Sequence, residues 1–162
     1  MSEELSADLG ADFKEAPLYA LFCEANNRYV RAAPDRHDQL FADGTSRDEW
    51  CLFQFVPIDG KIWRIWSVGK RFYVSGYGNM PGGPGNGWPL RALVDDDNWA
   101  RFRLEKRPKG KLLITLAQPP VPEAQHPRNT VTRSIGGGEE VFIGHTAGPE
   151  QSEFRLERVR IS

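Results

Sequence analysis

Tyr77 and Trp88 bracket ten residues drawn only from glycine, proline, asparagine and methionine, Gly78-Asn-Met-Pro-Gly-Gly-Pro-Gly-Asn-Gly87. Glycine removes bulk and proline removes an amide donor, so such a segment holds no regular ladder and must run over a surface. If its ends close as a hairpin, the two rings stand near each other. Aromatic rings stack on the apolar faces of sugars and other flat ligands, and the amides of Asn79 and Asn86 offer both donors and acceptors. Tyr77, Asn79, Asn86 and Trp88 are therefore the candidate ligand-binding residues. The same rings would serve equally well to plug the end of a barrel, and both roles stay open.

Other polar groups form less specific patterns. The glycine-rich loop lacks the Lys-Ser/Thr and following helix of a phosphate cradle, and Gly136-Gly-Gly138 reads as a flexible hairpin turn. Asp95-Asp-Asp97-Asn98 lacks the spaced glycine and distal glutamate of a calcium loop and reads as a solvated turn before Trp99. His37, His126 and His145 have no sequence-near ligand spacing, so no metal site is expected. Within Asp35-Arg-His37-Asp38 a carboxylate could orient the imidazole, but a polar surface turn accounts for the same residues. No serine lies in a Gly-x-Ser-x-Gly setting, and neither Cys23 nor Cys51 has a histidine-paired context, so no catalytic residue is nominated and no cofactor is implied.

Charge narrows the partners. The net charge of -1 and a pI near 6.3 supply no field for nucleic acid or an anionic membrane. Residues 1–15 carry Glu3, Glu4, Asp8, Asp12 and Glu15 against Lys14, an acidic arm expected over 1–17, and leave the remainder mildly basic. The acidic start with no apolar run points to a cytoplasmic protein with free, buried thiols.

The elements that must position these residues are short strands. From Leu18 onward, runs of five to seven residues rich in Val, Ile, Phe, Tyr and Trp alternate with Gly, Pro, Asn and Asp clusters. Three of these runs end alike: Trp50-Cys-Leu-Phe53-Gln-Phe55, Trp99-Ala-Arg-Phe102-Arg-Leu104 and Gln151-Ser-Glu-Phe154-Arg-Leu156, with phenylalanines 49 and 52 residues apart. Alternation puts Cys51/Phe53/Phe55, Ala100/Phe102/Leu104 and Ser152/Phe154/Leu156 inside, with Gln54, Arg103 and Arg155 outside.

First strands follow at 19–24, 62–67 and 111–116, second strands at 28–32, 72–76 and 130–132, and third strands at 39–42, 89–93 and 140–144, giving twelve in all. The repeats span about 18–60, 61–110 and 111–162 of a single domain over 18–162, joined at the turns Asp59-Gly60 and Lys109-Gly110. Trp63 and Trp66 fall on opposite faces of one first strand, which points to an exposed ring, and a bulge would exchange them. The proline-rich stretch 118–127 is expected to be extended, either crossing a barrel end or docking a partner.

An aromatic-Val-(Arg/Ser)-(Ala/Gly) second strand, then Leu40-Phe-Ala42 or Leu90-Arg-Ala92, then Trp-x-x-Phe-x-(Phe/Leu), resembles the repeat of fascin-like β-trefoils over residues 18–161. The resemblance implies an all-β trefoil of twelve strands in three pseudo-threefold repeats. The Gln-x-Trp repeats of ricin-type lectins are absent, so their sugar-binding residues do not carry over. The expected function is a non-catalytic, lectin-like module for a carbohydrate or another small polar ligand, with recognition in the middle repeat. A fascin-like protein or filament interaction domain is the alternative, and a small-molecule enzyme on the same scaffold is the third reading.

Overall fold

Period-two alternation dictates the strands, and the computed structural model shows them over residues 17–24, 26–32, 39–58, 62–75, 87–94, 100–117, 130–133, 141–144 and 152–159. Among these described residues thirteen strands join one sheet. The first repeat gives β1 (Leu18–Cys23), β2 (Arg28–Ala32), β3 (Leu40–Gly44) and β4 (Phe53–Pro57). The second gives β5 (Trp63–Ser67), β6 (Phe72–Ser75), β7 (Gly87–Pro89), β8 (Arg91–Val94) and β9 (Phe102–Arg107). The third gives β10 (Lys111–Leu116), β11 (Thr130–Arg133), β12 (Val141–Gly144) and β13 (Glu153–Val159).

Ladder register explains how three repeats close. Each closing strand pairs with the first strand of its own repeat, Phe53 opposite Tyr19, Phe102 opposite Trp63 and Phe154 opposite Leu112. It then pairs with the first strand of the next repeat: β4 with β5, β9 with β10, and β13 back with β1. The sheet thus returns to its start, and the closing strands have neighbours on both sides. Phe53, Phe102 and Phe154 are 0%, 0% and 1% exposed and belong to one core cluster, as the triplicated endings require. Leu21, Ile65 and Ile114 add an equivalent layer from the first strands. The space left on the axis is about 10 Å³ open to the centre of a water-sized sphere, and its lining is entirely apolar.

Twelve strands were expected, and the extra one has a physical cause. Leu90 leaves the hairpin ladder, splitting the middle repeat's third strand into β7 and β8, and bonds around the axis instead. Its carbonyl accepts from Leu40 N at 2.9 Å, and its amide donates to Val141 O at 3.3 Å. Three third strands, one from each repeat, are tied together in this way. The closing strands also begin later than expected: Trp50 lies in a short 3-10 turn, Glu49–Cys51, capped by Asp48, whose carboxylate accepts from Trp50 N. The Lys109-Gly110 turn is present, with left-handed φ of 66° and 74°. Gln54 keeps the outward parity that alternation gives it, in register with Trp66, yet is only 8% exposed because that bulky ring covers it across the ladder. The acidic arm over 1–16 and the 118–127 stretch lie outside the described residues.

Candidate functional site

On the outer wall, register lines up one row of residues per repeat. The first row runs Arg155, Phe22, Tyr29, Gly44 across β13, β1, β2 and β3. The second runs Gln54, Trp66, Tyr73, Val94 across β4, β5, β6 and β8. The third runs Arg103, Thr115, Thr130, Gly144. Two of the three rows therefore hold an aromatic pair at the same place, on the hairpin between first and second strands.

The pairs share a geometry. Phe22 and Tyr29 meet edge to face with centroids 4.9 Å apart, as do Trp66 and Tyr73, also at 4.9 Å. All four rings are half-buried, which leaves ring surface in water. A guanidinium stands over each pair: Arg155 Cζ is 4.6 Å from the Phe22 centroid and Arg64 Cζ is 5.1 Å from that of Tyr73.

Electrostatics separates the two. In the first row Arg155 is held by carboxylates, its Nη2 2.8 Å from Glu157 Oε2 and its Nη1 3.2 Å from Glu24 Oε2, while Lys111 Nζ takes the other Glu24 oxygen at 3.0 Å. Tyr29 donates its hydroxyl to Glu157 Oε1 at 2.9 Å. Burial alone would raise Glu157, but the hydrogen bonds from Arg155 and Tyr29 outweigh it and hold the carboxyl below its ordinary range. Burial, then the Glu157 hydrogen bond, pushes the Tyr29 phenol up. In the second row Gln54 stands where the first has Arg155, and Val56 where it has Glu157. That platform lacks the Arg155–Glu157 pair of the first row.

The turn that supports the second pair is rigidly placed. Val68 N donates to Leu52 O at 3.1 Å and Arg71 N to Ser67 O at 2.8 Å. Gly69 lies under Trp50, where a Cβ would come within 2.5 Å of the indole Cε3 and 2.9 Å of Glu49 O. Arg71 has φ of 61°, matching Asn27 at 57° in the first repeat's turn. Asparagine tolerates that region, whereas arginine there costs about 1–2 kcal/mol.

Of the sequence-nominated residues, Tyr77, Asn79 and Asn86 lie outside the described residues, as do His37, His126, His145, Asp35, Asp38, Asp59-Gly60, Asp95–Trp99 and Gly136–Gly138. Trp88 is placed by its backbone, in β7 opposite Ile143 of β12, at the seam between the second and third repeats. Trp63 is the buried member of its pair, 1% exposed, and Trp66 is the outward one. The sequence did not nominate Trp66–Tyr73; the signal was the 44-residue offset that relates it to Phe22–Tyr29. Cys23 and Cys51 are free and buried, and burial followed by the nearby Asp48 pushes the Cys51 thiol up to about 12, which keeps it protonated and inert at neutral pH.

Solved structures match this architecture. The designed threefold-symmetric protein ThreeFoil aligns with a TM-score of 0.66 at 10% identity, over 86% of this chain and 96% of its own. The fold is a β-trefoil. The BEL β-trefoil gives a TM-score of 0.67 at 10% identity over 88% of this chain and 93% of its own. Polyporus squamosus lectin, in a structure bound to the human-type influenza-binding epitope Neu5Acα2-6Galβ1-4GlcNAc, gives 0.67 at 9% identity. That trefoil match covers 88% of this chain and 49% of the lectin. No protein-family model and no curated protein matches the sequence. At such identities the likeness concerns the trefoil fold alone.

Proposed function

We propose that this trefoil is a non-catalytic, lectin-like module that binds carbohydrate on the outer face of its middle repeat. The observation that carries the reading is the Trp66–Tyr73 pair, a half-exposed aromatic platform on a pinned hairpin. Pyranose rings present apolar C–H faces, and an indole set beside a phenol offers them a flat wall together with a hydroxyl. β6 ends at Ser75, two residues before Tyr77, so the loop carrying Tyr77, Asn79 and Asn86 follows directly from the platform and returns through Trp88. These four are assigned as loop contacts to the same ligand. A trefoil lectin among the structural neighbours is consistent with the carbohydrate reading.

Titration with simple saccharides should quench tryptophan emission, with Trp66→Ala abolishing the response and Trp88→Ala weakening it. Flat titrations across a glycan array, or full binding by Trp66→Ala, would remove the proposal.

Phe72, 36% exposed at the start of β6, favours a second reading as a fascin-like protein-interaction surface. Co-sedimentation with filaments that is lost in Phe72→Ser would select that reading over the first.

A further inference from the structure

The platform lies in a stretch of one-sided charge. From Gly60 to Val94 the chain has no aspartate or glutamate, whereas 22 such residues in 162 would place about five in a window of this length. The same window carries Lys61, Arg64, Lys70, Arg71 and Arg91. The fold gathers three of these cations around the aromatic pair. Arg64 stands two residues before Trp66 on the same face of β5, its guanidinium over Tyr73. Lys70 and Arg71 form the turn one ladder pair beyond Trp66 and Tyr73.

Arg71 is exposed and left-handed, and the equivalent turn of the first repeat has Asn27 in that conformation. An arginine held where asparagine fits the backbone better points to a use for its guanidinium.

We infer that the ligand of the middle repeat is an anionic saccharide, bearing a carboxylate or a sulfate. Its ring lies on Trp66 and Tyr73, and its charged group meets Lys70 and Arg71. This rests on the carbohydrate reading above and adds the class of sugar. A nucleic acid would also meet aromatic rings and cations, but the described cations of the platform number only three, Arg64, Lys70 and Arg71, and a single charged sugar group needs no longer track.

The test is calorimetric titration with N-acetyllactosamine, with the same disaccharide carrying a terminal sialic acid, with a heparin tetrasaccharide, and with a single-stranded oligodeoxynucleotide. One of the two acidic saccharides should bind at least tenfold more tightly than the neutral one, and its affinity should fall as salt rises. Arg71→Asn and Lys70→Gln should each lower the acidic-to-neutral affinity ratio about fivefold. Arg71→Asn should melt no lower than the unaltered protein, so its loss of selectivity is not a loss of fold. Equal binding of neutral and acidic sugars, still dependent on Trp66, would overturn the anionic assignment and leave the carbohydrate reading standing. Equal or tighter binding of the oligonucleotide would also overturn it, and silence toward every saccharide would remove both.

Discussion

Truncating the three equivalent phenylalanines tests the architecture on which the platform depends. Phe53, Phe102 and Phe154 are at most 1% exposed. Removing a buried phenylalanine side chain costs about 3–5 kcal/mol, the spread reflecting how far the surroundings collapse into the gap. Little collapse is available here. Each ring hangs from a strand that pairs with the first strand of its own repeat and with that of the next. A backbone held on both edges does not slide inward, so each Phe→Ala change should cost about 4 kcal/mol, the three values agreeing to about 1 kcal/mol. Urea unfolding followed by tryptophan emission measures this directly, with the denaturant slope unchanged if the surface exposed on unfolding is unchanged. Against a total stability of about 5–15 kcal/mol the variants should remain folded at low denaturant. A cost below about 2 kcal/mol at any one site, or unfolding in separate steps, would refute a shared core and show the repeats to be independent units.

Gly69→Ala should cost about 1–3 kcal/mol by driving a Cβ into Trp50 and the Glu49 carbonyl, and thermal melts of the variant will show it. Tyr29→Phe removes the hydroxyl bond to Glu157 and should cost about 1–2 kcal/mol, falling toward zero when made in Glu157→Ala, which leaves no acceptor, as a double-mutant cycle will report. Because Glu157 is held below its ordinary value in the folded state, its contribution is fully present above the unfolded value near 4.5 and is lost as pH falls through the lower folded value. Stability measured from pH 5 to 3 should therefore drop less steeply in Glu157→Gln. Cys51 runs the other way: its folded value near 12 lies above the unfolded value of 9.0, so its contribution is complete below pH 9 and declines as pH climbs toward 12. Cys51→Ala should melt with a shallower alkaline slope than the unaltered protein.

The repeat was legible because alternation and spacing are one-dimensional properties. Phe53, Phe102 and Phe154 announce themselves by period, and their burial follows from strand parity. The first, second and third strands were placed within a few residues for the same reason. The platform was hidden because it is made across strands: Trp66 and Tyr73 are seven positions apart, and only the register brings their rings together. The equivalent places hold Phe22 with Tyr29 and Thr115 with Thr130, so no residue type repeats three times to mark the row. In the sequence nothing local distinguishes Leu90 from its strand neighbours; its departure comes from Leu40 and Val141, a donor and an acceptor remote in sequence. Alternation gives Gln54 its outward face, but the cross-strand neighbour Trp66 that shields it becomes visible only with the register.

The pairing of Leu18 with Val159 brings the two ends of the described barrel together. A circular permutant could therefore be linked there by a few glycines and reopened at another turn, such as Lys109-Gly110, without stretching any strand. For the same reason the whole barrel could be spliced into a surface loop of a host protein, with its entering and leaving segments side by side, and would carry the Trp66 face outward as a removable cartridge.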